Sequence, residues 1–182
     1  MIPTDDINKI LHEADCLFTA EQVQQAIDRL AKCINNDLAS SNPIFLAVVS
    51  GAIVPIGHLF TRLTFPLELD YIHATRYDGE IRGTELKWLV EPRSVLKNRT
   101  LVIVDDILDE GYTLEAIIRY CYDKGASDVK TVVLVEKEHN RGVKVDVDYV
   151  GIKVPDRYVF GYGMDYKGYL RNANGIYALK GL

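Results

Sequence analysis

TLVIVDDILDEGYTL, residues Thr100–Leu114, is the stretch from which the fold is read. Leu101–Val104 (LVIV) is a short, unbroken apolar run, which predicts a strand buried on both faces rather than one half exposed to water. It leads into Asp105, Asp106 and Asp109, which the pattern sets in a turn closed by Gly111. Leu114, Ile117, Ile118 and Cys121 then recur at helical spacing, and Gly125 stands where a helix ends in a left-handed residue. Val129–Val135 (VKTVVLV) supplies the next strand. Strand, helix and strand with short connections make a parallel α/β unit, because the right-handed crossover returns the chain to the same sheet.

The same rhythm extends outward. Ile44–Val49 (IFLAVV) predicts a second buried strand, turned by Ser50-Gly51 into a helix over Ile53–Leu63. Leu67–Tyr77 is extended, Asp78–Thr84 (DGEIRGT) is a polar loop, and Glu85–Val90 returns as a strand ended by Pro92. Tyr149–Ile152 and Ile176–Leu179 complete the strands. Ahead of them, Ile7, Ile10, Leu11 and Ala14 mark one helix face. Thr19 with Gln22 forms a capping box that opens a second helix, whose stripe is Val23, Ile27, Leu30 and Ile34. Pro43 stops it by biasing Asn42 away from helical dihedrals. The expectation is a single α/β domain over 1–182 with a largely parallel central sheet, a helical N-terminal segment at 1–40 and the core from 44 onward.

Composition narrows the function classes. The 182 residues carry 21 Lys+Arg against 26 Asp+Glu, a formal charge of -5, which lacks the basic footprint of a nucleic-acid binder. No apolar run approaches the roughly 20 residues that cross a bilayer, and MIPTDDINKI has acids where a secretory signal has bases. Cys16, Cys33 and Cys121 are odd in number and form no C-x-x-C pair, so neither a disulfide framework nor a zinc site is expected. A cytoplasmic enzyme or regulator, with neither nucleic acid nor membrane as partner, fits these limits.

Chemistry in open α/β sheets gathers at the carboxyl ends of the strands. Asp105, Asp106 and Asp109 fall there and would repel one another unless a cation or a polyhydroxyl ligand shares the site. The following helix N-terminus, reached through Gly111, suits an anion. Acids beside an anion cradle imply a phosphorylated sugar or nucleotide bound with Mg²⁺. The plainer alternative is that the acids cap the helix and favour its positive end. DDILD matches the DDxxD of isoprenoid synthases, but those belong to all-α chains; a G-x-x-x-x-G-K-[ST] loop is absent. His12, His58, His73 and His139 show no ligand spacing and read as structural or exposed, and Trp88 reads as packed.

TLVIVDDILDEGYTL resembles the phosphoribosyl-pyrophosphate (PRPP) signature of type I phosphoribosyltransferases. LVEK at 134–137 and VPDRYVFGYGMDYKGYLR at 154–171 narrow the resemblance to the hypoxanthine-guanine phosphoribosyltransferases. The resemblance implies a small hood built from the N- and C-terminal segments, and roles residue by residue. Asp105 and Asp106 match the pair that meets the ribose hydroxyls, directly or through Mg²⁺, and Asp165 matches a further Mg²⁺ ligand. Asp109 matches the carboxylate that accepts a proton near purine N7. Asp109, Glu110, Gly111, Tyr112 and Thr113 match the 5′-phosphate loop, where Glu110 replaces the usual hydroxyl residue and must turn its side chain away from phosphate. Lys137 matches the lysine on purine O6, Tyr158 the aromatic that stacks on the base, and Val159 a backbone contact to its edge. Ser50 and Gly51 match the pyrophosphate loop, Arg171 an arginine that reaches pyrophosphate, and Arg76 with Tyr77 the start of a lid. The implied activity is Mg²⁺-dependent transfer of phosphoribose from PRPP to a 6-oxopurine by a homodimer or homotetramer. The alternatives are a transferase for another base, such as xanthine, and a regulator that binds PRPP or nucleotide without turnover.

Overall fold

The computed structural model describes residues 2–76 and 86–181. Helix α1 (Thr4–Glu13) leads into strand β1 (Asp15–Phe18) and helix α2 (Ala20–Leu38). The α/β core follows as β2 (Ile44–Val48), α3 (Ile53–Phe60), β3 (Glu68–Arg76), β4 (Leu86–Val90), β5 (Thr100–Leu108), α4 (Tyr112–Asp123), β6 (Asp128–Glu138) and β7 (Tyr149–Pro155). β8 (Val159–Phe160) and β9 (Ile176–Ala178) end the chain.

Six strands form the main sheet in the order β4-β3-β2-β5-β6-β7, all parallel except β4. The apolar runs are continuous because both faces are covered. Ile44, Leu46, Leu101, Ile103 and Val133 face the layer containing α4, while Phe45, Ala47, Val102, Val104, Val132 and Leu134 face α2 and α3. Chain direction across the sheet reverses between β2 and β5, since β2 is followed outward by β3 and β5 by β6. The carboxyl ends of these two strands therefore diverge into a crevice.

A second, three-stranded sheet in the order β1-β9-β8 stands over that crevice as the hood. Arg157 ties it together, donating to Asp15 at 2.6 Å and to the Leu179 carbonyl at 2.6 Å. The capping box of α2 is present, with Thr19 and Gln22 exchanging side-chain-to-backbone bonds. Trp88 packs on Tyr120 at 4.6 Å between centroids.

Three expectations need correction. The N-terminal segment is not wholly helical: Ala14 is extended and Asp15–Phe18 pairs with β9. The strand expected at Leu101–Val104 continues to Leu108, so Asp105 and Asp106 lie in the strand rather than in a turn, held by pairing with β6. The strand expected at Val129–Val135 runs on to Glu138 and carries Lys137 with it. Among the described residues, no helix is long and apolar enough to cross a membrane.

Candidate active site

A cleft of about 410 Å³ opens where β2, β5 and β6 end beneath the hood. Its lining brings together Ser50, Gly51, Asp105, Asp106, Asp109, Lys137, Tyr158, Val159, Asp165 and Arg171 from five separate stretches of chain. Glu110, Gly111, Tyr112 and Thr113 continue from its floor into the first turn of α4. Tyr77 and the loop after it lie outside the described residues, as does the Arg76 side chain, although the Arg76 backbone ends β3.

Asp105 and Asp106 reach the cleft through the last turns of pleat in β5. Burial first, and then the neighbouring Asp106 charge, push Asp105 well above the usual carboxylate range. Asp106, 8% exposed, is also raised by burial; its contact with Asp105 and the Arg171 guanidinium, 3.8 Å away, only partly offset this. Gly51 presses its backbone against the same carboxylate, since a Cβ there would sit 2.1 Å from Asp106 Oδ2. No side chain can occupy that space. Two acids short of positive charge, facing a cleft, fit a hard divalent cation or ribose hydroxyls.

Asp165 is held differently. Its Oδ1 pairs with Arg171 at 2.6 Å and its Oδ2 accepts the Gly168 N–H at 2.7 Å. Arg171 also donates to the Gly163 carbonyl at 2.5 Å, which fixes the guanidinium between Asp165 and Asp106. Tyr158 is 42% exposed, with its hydroxyl donating to the Asp165 carbonyl at 3.2 Å, so its ring forms a lip of the cleft rather than core. Val159 beside it is buried in β8.

Asp109 is the most heavily contacted acid. Lys137 Nζ donates to Oδ2 at 2.7 Å; His139 Nε2 and Arg141 approach Oδ1 at 2.8 and 2.9 Å. Burial alone would raise this carboxyl, but Lys137, His139 and Arg141 outweigh it and hold it below the usual range. Helix α4 opens from Gly111, an N-cap in the left-handed region with no side-chain cap, while Asp109 is bonded to Lys137, His139 and Arg141. Arg141 also pairs with both oxygens of Asp156 and approaches Glu110 at 3.5 Å. The Glu110 carboxylate is thus turned to an arginine.

Arg141 and Asp156 escaped the sequence reading, and His139, read there as structural or exposed, is bonded to Asp109 at the edge of the cleft. The available signal was nearness in sequence: His139 and Arg141 follow Lys137 by two and four residues, just past the end of β6.

The phosphoribosyl transferase domain model matches residues 14–167. The chain belongs to the phosphoribosyltransferase family. Over 174 residues this phosphoribosyltransferase is 34% identical to the hypoxanthine-guanine phosphoribosyltransferase of Crithidia fasciculata, covering 90% of the chain and 84% of that protein. It is 30% identical to the bifunctional protein TilS/HprT of Listeria monocytogenes, matching along 97% of its own length but spanning only 26% of that protein. Its fold superposes on the hypoxanthine phosphoribosyltransferase of Trypanosoma cruzi, solved with the product IMP, with a TM-score of 0.86 at 28% identity, covering 93% of this chain and 96% of that one.

Proposed function

We propose that the chain transfers 5-phosphoribose from PRPP to N9 of a 6-oxopurine, hypoxanthine or guanine, releasing pyrophosphate and the nucleoside monophosphate. The observation that carries this reading is the Lys137–Asp109 pair, 2.7 Å apart at the ends of two adjacent parallel strands and facing the exposed Tyr158 ring across one cleft. An ammonium offers only donors and so prefers a ring oxo group to an amino group. A carboxylate beside it suits the acidic N–H of the same ring. The IMP-bound structure of the Trypanosoma cruzi relative supports the choice of base.

The residues divide the work by position. The backbone N–H groups at 111–113 open α4 without a side-chain cap, which suits a 5′-phosphate. Ser50 and Gly51 line the pyrophosphate end together with Arg171. Asp105 and Asp106 would meet the ribose hydroxyls and would hold Mg²⁺ together with Asp165, and Arg171 would reach pyrophosphate. Mg²⁺, when bound, supplies positive charge to offset that growing on the leaving group. As the N9–C1′ bond forms, the C1′–O bond breaks with its electron pair going to pyrophosphate, and the N7 proton passes to Asp109. Lys137 then lies on O6 rather than on Asp109, so base binding itself unmasks the proton acceptor.

Leu69 and Tyr71 on β3 and Ile53 on α3 are 57, 41 and 57% exposed, which supports a homodimer or homotetramer. The test is direct. Purified protein with PRPP and Mg²⁺ receives each base in turn, and nucleotide formation is followed by absorbance. Hypoxanthine or guanine should be converted; no product from any base would refute the reading.

A further inference from the structure

We infer that His139 is a positioning residue for the proton transfer: its Nε2–H holds Oδ1 of Asp109, so that Oδ2 faces the base and takes the proton. This rests on the transfer reading above. The ring's tautomer follows from its two neighbours. Nδ1 lies 3.2 Å from the backbone nitrogen of Arg141, and a backbone N–H can only donate. Nδ1 is therefore the acceptor, the imidazole proton sits on Nε2, and Nε2 donates across 2.8 Å to Asp109. The side chain is 9% exposed and has little freedom to swing away.

The two carboxylate oxygens are thereby made unequal. Among the described residues, Oδ1 accepts from His139 and Arg141, whereas Oδ2 accepts from Lys137 alone. Once Lys137 moves to the exocyclic oxygen of a base, Oδ2 is vacant while Oδ1 stays doubly held. The proton leaving the ring nitrogen forms its new O–H bond at Oδ2, turning the carboxylate into a neutral acid still oriented by His139. Arg141 cannot do this alone, because its guanidinium is shared with Asp156 and Glu110.

The trio Asp109, His139 and Asp156 lies close enough to hold a metal ion, but the Arg141 guanidinium contacts both acids and fills that role.

The test uses His139→Leu, which cannot donate, and His139→Gln, which carries a non-titrating amide donor at the same distance along the side chain. With hypoxanthine, PRPP and Mg²⁺, H139L should lose about 10-fold or more in kcat with little change in either KM. H139Q should restore most of that loss. Nitrogen-15 spectra of the wild-type imidazole at neutral pH should show the proton on Nε2. An unaltered kcat in H139L, a loss that H139Q does not restore, or a proton on Nδ1 would each overturn the inference. Silence of the wild type with every base is a different result: it overturns the transfer reading, and this inference with it.

Discussion

Asp105→Asn should make the ligand-free protein more stable while impairing its function. Asn keeps the oxygen that accepts the Asp106 N–H at 2.9 Å and changes little but charge. Burial and Asp106 raise the Asp105 carboxyl in the folded state, so its linkage has the sign opposite to that of a salt-bridged acid. The stability it contributes is full below the unfolded pKa and is lost as pH rises through the folded one. At neutral pH the Asp105 carboxyl therefore works against folding. An uncompensated buried polar group costs about 1–3 kcal/mol, and 1 kcal/mol moves Tm by about 2–4 °C in a chain of this size. In chelator at neutral pH, thermal unfolding of D105N should thus lie about 2–12 °C above wild type, with the gap closing as acid protonates Asp105. With Mg²⁺ and PRPP the order should reverse. Saturating ligand at 100 times its Kd adds about 2.7 kcal/mol to whichever protein binds it, and D105N should forfeit most of that. A D105N protein that melts at or below wild type in chelator at neutral pH would refute the charge argument.

Lys137→Met removes the ammonium but keeps much of the stem; losing a hydrogen bond to a charged group, worth roughly 1.5–3 kcal/mol, should raise the hypoxanthine KM at least 10-fold. The PRPP KM should move less than about 3-fold, and equal losses in initial-rate assays would mark Lys137 as structural. Asp109→Asn should lower kcat by about 10²–10⁴-fold with PRPP affinity nearly unchanged, as titration calorimetry with Mg²⁺ can check; near-normal turnover at all pH values would exclude Asp109 as the base. Glu110→Thr should leave PRPP affinity equal or tighter, because a carboxylate held toward Arg141 gives nothing to a phosphate; a folded variant that loses PRPP binding would show otherwise.

What the sequence made legible, and what it hid, follows from which forces are local. β2, β5 and β6 could be read because burial on both faces writes itself as an apolar run. The far end of β5 could not. Aspartates are poor strand formers, and Asp105, Ile107 and Leu108 stay extended only because Val133, Val135 and Glu136 of β6 pair with them. β1 was hidden more completely. Its four residues are half exposed, and its partner in β9 is some 160 residues away, with Asp15 opposite Ala178. In the site, Asp105, Asp106 and Asp109 stood out because they follow an apolar run, whereas Lys137 and Asp165 stood out only through their resemblance to family motifs. His139 and Arg141 follow a strand on irregular backbone, where no hydrophobic period draws attention to the polar residues.

That irregular segment also joins two halves of the site. The Val143 N–H donates to the Glu110 carbonyl at 2.8 Å, so the stretch after β6 is bonded to the loop before α4. The approach is permitted by glycine on both sides. Gly111 has a φ of 81°, and a Cβ there would meet the Val143 carbonyl oxygen at 2.4 Å; Gly142 has a φ of 84°, and its Cβ would meet the Glu110 carbonyl oxygen at 2.2 Å. Neither position tolerates a side chain without parting the loops, and each also needs a backbone that other residues rarely adopt. Arg141, one residue before Gly142, then contacts Asp109, Glu110 and Asp156 at once. The donors His139 and Arg141 and the backbone that opens α4 are therefore carried by two interlocked loops, and a side chain at either glycine would part them.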